Sequence, residues 1–172
     1  MDKKKVKFKT RKVYNTPGHS HFLTFSTLGR RPYLTDARVC RLLAGTIANQ
    51  LRRHKYVALA YVLMPDHVHI LVHPLEEIYD ISDFLKSIKQ GVSSRALNNG
   101  WIETPLWEAG GGYDRNITGP RSRRFVINYI HQNPVKGELV DEMADYVWSS
   151  ANWSVTGKIG SIPCVHFASL ER

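Results

Sequence analysis

Residues 56–73 read YVALAYVLM-PD-HVHILVH. The run from Tyr56 to Met64 is apolar without interruption, which suits a strand buried on both faces. Pro65-Asp66 is a turn signal, and the alternating segment from His67 to His73 follows it, so the two halves form a β-hairpin. In the second half His67 and His69 stand at i and i+2. In a strand this puts both imidazoles on one face with their Cα atoms about 6.6–6.8 Å apart, while Val68, Ile70 and Val72 fill the other. Both rings can reach one divalent ion; the alternative is a pair of polar residues on a solvent face. Leu71 stands where a histidine-triad hydrolase would need a third histidine, which excludes that class, and His73 receives no role.

Working outward, His21–Thr27 alternates and is rich in aromatic and β-branched residues, a strand that Gly29-Arg30-Arg31-Pro32 breaks. Thr35 or Asp36 caps a helix to about His54, with Val39, Leu42, Leu43, Thr46, Ile47 and Leu51 on its core side. A second helix runs from about Ser82 to Leu97, carries Phe84, Leu85, Ile88 and Val92 inward, and stops at Asn98-Asn99-Gly100. Leu106–Tyr113 is the expected last strand, weakened by three consecutive glycines. A third helix begins near Gly119-Pro120, carries Phe125, Val126, Tyr129 and Ile130, and is expected to end at Pro134. The order β-α-β-β-α-β, then a helix and a tail, predicts an α+β fold. It is the ferredoxin-like split βαβ arrangement, an antiparallel sheet with two helices on one face. That architecture hosts unrelated activities, so function must be argued from a site.

The 172 residues fit one domain, 42% of them are hydrophobic, and no disulfide or metal is needed for a core. We expect a basic arm over residues 1–18, a domain over 19–150 and a tail over 151–172. Cys40 and Cys164 are too isolated for a disulfide framework or a CxxC site, and a reducing, cytoplasmic setting is expected. No apolar run approaches the ~20 residues of a membrane span, and the charged N-terminus is unlike a signal peptide. The formal net charge is +9. Lys3, Lys4, Lys5, Lys7, Lys9, Arg11 and Lys12 face a single acid, Asp2, in the first twelve residues. A second basic block, Arg115, Arg121, Arg123, Arg124 and Lys136, has no acid inside it. This balance favours a polyanion, nucleic acid before a membrane surface, although a basic tail can also be merely solvated.

On the third helix Tyr129 and Asn133 are four residues apart and project together. A phenol, with a reference pKa near ~10, attacks a phosphodiester only if its proton is removed or a metal polarises the phosphoryl oxygen. The competing reading packs Tyr129 beside Val126 and Ile130 and makes Asn133 an ordinary residue before a proline.

Three segments then carry a resemblance. Met64-Pro65-Asp66-His67-Val68-His69-Ile70-Leu71, Tyr129-Ile130-His131-Gln132-Asn133-Pro134-Val135-Lys136 and Tyr146-Val147-Trp148-Ser149-Ser150 resemble the signature segments of REP-associated tyrosine transposases, bacterial members of the single-tyrosine HUH endonucleases. The match spans roughly residues 20–150. The resemblance implies that His67, His69 and Asn133 hold Mg²⁺ or Mn²⁺ and that Tyr129 is the nucleophile. Tyr129 would attack single-stranded DNA, leaving a 5′-phosphotyrosine and a free 3′-OH that can rejoin DNA without ATP. It implies a REP-type hairpin with a single-stranded foot as substrate, a monomer, and a nucleoid-associated cytoplasmic location. Arg115, Arg121, Arg123 and Arg124 are candidates to clamp phosphates, Lys3, Lys4 and Lys5 to track the backbone, and Tyr113, Trp107 or Trp101 to stack on bases. The sequence departs from the family pattern at Asp66, where Asn is usual, at Glu138 after Gly137, and in Gly110-Gly111-Gly112. The alternatives are a catalytically silent hairpin-binding protein derived from a transposase and a metal-dependent phosphoesterase in which Tyr129 only packs.

Overall fold

The computed structural model describes residues 14–110, 112–158 and 160–170. Lys3, Lys4 and Lys5 lie outside the described residues. The main elements are β1 (Ser20–Ser26), α1 (Ala37–Arg53), β2 (Tyr56–Met64), β3 (His67–Pro74), α2 (Ile81–Asn98), β4 (Tyr113–Ile117), α3 (Pro120–Lys136) and α4 (Ala151–Thr156). The strands form one sheet in the order β2-β3-β1-β4, every pair antiparallel. The expected ferredoxin-like α+β fold is borne out.

Local chemistry starts each helix where the sequence suggests. The Asp36 carboxylate accepts from the Arg38 amide at the head of α1, and Asp80 accepts from the Ser82 and Asp83 amides at the head of α2. α3 opens with Pro120 in its first turn after Gly119 at φ 72°, and a proline there gives up only an amide that the helix leaves unbonded.

Two apolar layers hold the sheet. On one face Leu23, Phe25, Val68, Ile70 and Val72 meet Leu43 and Ile47 of α1 and Phe84 and Ile88 of α2. On the other, Phe22, Ala60, Val62, Leu71 and Ile117 meet Val126 and Ile130 of α3. The third helix therefore crosses the face opposite to α1 and α2, which is the face that carries His67 and His69.

Two expectations need correction. The last strand is Tyr113–Ile117, not Leu106–Tyr113; Leu106 and Trp107 turn into the core, and Trp107 makes one isolated bridge to Thr27. Being an edge strand, β4 buries Ile117 but leaves Tyr113 and Arg115 exposed, so it lacks the apolar density by which strands are read. Gly112 is needed at its entry: φ is +71°, and an added Cβ would stand 2.4 Å from the Thr24 carbonyl oxygen. Nor does Pro134 end α3, which continues to Lys136. The proline ring suits helical φ and forfeits one hydrogen bond, and below it the Gly137 amide still donates to the Asn133 carbonyl at 2.8 Å.

Residues 146–150 lie along the free edge of β2. The Leu63 amide donates to the Trp148 carbonyl, the Ser150 amide to the Tyr61 carbonyl, and the Tyr146 hydroxyl to the Leu63 carbonyl. His131 of α3 is buried and shares a 2.9 Å hydrogen bond with Ser150 Oγ, so this segment fixes the rotation of α3 about its axis. Burial pushes the His131 imidazole down to about 4. Between pH 6.5 and 4 the unfolded chain therefore binds a proton that the folded chain refuses, and stability falls as pH falls through that window, by about 3 kcal/mol at most for this group. Urea unfolding at pH 7 and pH 4.5 should show a smaller loss in His131→Gln than in the parent. An equal loss would remove His131 from the acid response.

Candidate active site

The register of the sheet assembles the site. Thr24 pairs with His69 and with Tyr113, and Ser26 pairs with His67, so all these side chains rise from the α3 face. His67 Nδ1 lies 2.6 Å from Asp66 Oδ1. With the carboxylate oxygen accepting from Nδ1, the neutral form of the ring turns the lone pair of Nε2 toward His69. His69 Nδ1 shares a 2.7 Å hydrogen bond with Thr24 Oγ1. The two remaining nitrogens, His67 Nε2 and His69 Nε2, converge to 3.2 Å.

That separation suits two ligands on one ion. With metal–nitrogen bonds of about 2.1 Å, neighbouring ligands stand about 3.0–3.4 Å apart. Each ring is also backed by an oxygen at its far nitrogen, the arrangement that orients metal-binding imidazoles. His69 is only 6% exposed, and burial, helped by the neighbouring His67 and the charge of Arg30, holds it down to about 4 despite an opposing side-chain hydrogen bond accepted by Asn133 and the charge of Asp66. It is therefore neutral at pH 7, as a ligand must be.

α3 supplies the rest. The Tyr129 ring packs edge-on against His69, 5.4 Å between centroids, and against Phe22 at 5.9 Å. It is 36% exposed, so one edge is open to solvent, and Lys136 Nζ lies 5.5 Å from the ring centre. One turn on, Asn133 Nδ2 donates to the Tyr129 carbonyl at 2.6 Å, which leaves Oδ1 as the atom that can accept from His69 or bind a cation. The residues present thus fit a divalent ion through two imidazoles and an amide oxygen. Among the described residues no group of three His, Cys, Asp or Glu could hold a metal, and Asp66 is turned away, its oxygens facing His67 and Arg30.

The basic candidates separate. Arg121 and Arg124 are exposed on the first turns of α3, and Arg124 also lies over the Phe167 ring at 5.7 Å. Arg115 is exposed on β4 opposite Phe22. Arg123 instead donates to Ser20 Oγ and the Gly18 carbonyl, tying the start of α3 to the start of β1. Of the stacking candidates Tyr113 is exposed. Trp107 is not available, because it is buried against Phe25 with Nε1 donating to the Lys89 carbonyl, and Trp101 packs against the core under Arg38. The sequence did not single out Thr24 or Arg30. Thr24 was legible as a strand residue, but nothing local to it states its cross-strand partner.

Residues 4–133 match the family described as transposase IS200-like. The chain belongs to that family. It is 27% identical over 138 residues to the REP-associated tyrosine transposase of Escherichia coli strain K12, covering 80% of this chain and 79% of that one. Its fold is similar to that of a REP-associated tyrosine transposase solved bound to a REP hairpin, with a TM-score of 0.75, 21% identity and 90% of each chain covered. In this IS200-like transposase a half-exposed phenol and the paired histidines meet at the seam between α3 and β3.

Proposed function

We propose that this chain is a metal-dependent single-stranded DNA endonuclease and strand transferase that cleaves and rejoins DNA at REP-type hairpins through a 5′-phosphotyrosine. The observation that carries this reading is the Tyr129 ring against His69, at the point where His67 Nε2 and His69 Nε2 converge.

In this reading Tyr129 Oη attacks phosphorus as its proton leaves, the bond to the 3′ oxygen breaks, and that oxygen departs as a 3′-OH. The new phosphotyrosine conserves the energy of the broken bond, so a 3′-OH can reverse the step. Mg²⁺ or Mn²⁺ at His67, His69 and Asn133 would supply Lewis-acid polarisation of the phosphoryl group. Three neutral donors leave half of an octahedral cation's shell to oxygens from elsewhere, so metal affinity is expected to rise with DNA bound. His69 and Phe22 hold the phenol ring by packing, and the His131–Ser150 bond fixes the helix that carries it.

Arg121 and Arg124 lie about 7.5–12 Å along the α3 axis from Tyr129, within a few phosphates of the attacked linkage. Hairpin DNA as the ligand is supported by the relatives, one of which was solved on a REP hairpin. A monomer is supported by the reach of Tyr129 to the histidines of its own chain.

The test is a labelled oligonucleotide carrying the inverted repeat that flanks the gene, with its single-stranded foot, incubated with the full chain in Mg²⁺ or Mn²⁺. A protein–DNA band that survives denaturing electrophoresis is expected. Free cleaved DNA without it would favour a phosphoesterase, and binding without cleavage a silent hairpin binder.

A further inference from the structure

The loop after β1 holds an arginine where the backbone favours glycine. Gly29 and Arg30 have φ of 62° and 56°, and the Arg31 amide donates to the Leu28 carbonyl at 3.3 Å. Two successive positive φ values make a turn of the type I′ kind, whose central positions select Gly and Asn; a long side chain at the second is strained. Arg30 is nevertheless 59% exposed at its side chain, so burial does not explain its presence.

Its guanidinium points to the site. Arg30 Nη1 lies 3.3 Å from Asp66 Oδ2, while Asp66 Oδ1 accepts from His67 Nδ1. One carboxylate thus ties the guanidinium to the imidazole whose other nitrogen faces His69. Asp at position 66 has a use that Asn lacks: two equivalent acceptor oxygens, one for each partner, and a charge that holds the guanidinium.

We propose that Arg30 grips a non-bridging oxygen of the phosphodiester attacked by Tyr129, and that Asp66 is the residue that positions it. The proposal rests on the function given above. Attack on phosphorus concentrates negative charge on those oxygens, and a guanidinium already oriented by a carboxylate stabilises it with little reorganisation. Backbone strain at Arg30 is then retained for the sake of the side chain it presents.

The test compares full-length chains on the hairpin oligonucleotide described above. Arg30→Gln should form adduct about 10- to 100-fold more slowly, the scale of one charge-assisted hydrogen bond. Arg30→Gly relaxes the turn, so it should melt at the parental temperature or above and yet lose adduct formation to the same extent. In a Tyr129→Phe background, Arg30→Gln should weaken binding of the ordinary hairpin and not of one with a neutral methylphosphonate at the cleaved linkage. In Asp66→Asn the further effect of Arg30→Gln should shrink. Adduct formation at the parental rate in Arg30→Gly, or an equal loss of affinity on both hairpins, would overturn the proposal. Failure of the function itself would look different, as absence of adduct with Arg30 intact.

Discussion

Tyr129→Phe should abolish the covalent protein–DNA adduct while leaving hairpin affinity within about tenfold of the parent, the worth of one ordinary hydrogen bond at most. The substitution deletes one oxygen. The ring keeps its edge contacts with His69 and Phe22, so α3 keeps its seat on the sheet and its exposed arginines keep their places. Stability should barely change, because the residue is 36% exposed and the ring that packs is retained. Tyr113, another exposed phenol, packs 6.2 Å from Phe22 and is the natural control. Tyr113→Phe should retain the adduct. Denaturing electrophoresis of labelled hairpin reads both variants, and an adduct surviving in Tyr129→Phe would assign the nucleophile to another residue.

The contrast between β3 and β4 explains what the sequence discloses. The hairpin of β2 and β3 is legible because β2 is continuously apolar and β3 alternates; the pairing of His67 with His69 follows from the period of β3 alone, whereas the register shift between Ala58 and Ala60 in β2 leaves no mark in the sequence. β4 is set by one glycine that fits against the Thr24 carbonyl and by Asp114, which bonds His21 from the edge, and neither leaves an apolar pattern. The same holds within the site. Tyr129 and Asn133 share a helix face by arithmetic, but which face of the sheet α3 covers depends on Val126 and Ile130 meeting Phe22 and Leu71, contacts far apart in sequence. Arg30 was illegible for a further reason. Its role depends on a backbone conformation that its own residue type disfavours, so local preference pointed away from it. The hydroxyls of the segment 146–150 are engaged with β2 and α3, and the fold shows why it accompanies the others: it receives His131 and so orients the tyrosine helix.

His67→Ala carries the other large expected effect, a loss of adduct formation of about a thousandfold or more in saturating Mg²⁺ or Mn²⁺. Lewis-acid stabilisation of a phosphoryl transition state is worth several kcal/mol, and each 1.4 kcal/mol is a factor of ten in rate. Without His67 the protein offers His69 and one amide oxygen, and Asp66, still engaged by Arg30, is not aimed to replace the missing nitrogen. The fold should not share the loss. The His67 side chain is 16% exposed at the end of β3 and its neighbours in the core, Val68 and Ile70, face the other way, so unfolding free energy should change by about 1 kcal/mol or less. Hairpin affinity measured in EDTA should be unaffected, whereas the gain in affinity on adding metal should disappear. This pattern separates a ligand from a packing residue, for a packing residue would lower the melting temperature and leave the metal response in place. Adduct formation at the parental rate in His67→Ala, or in the parent with EDTA, would remove the cation from the reaction.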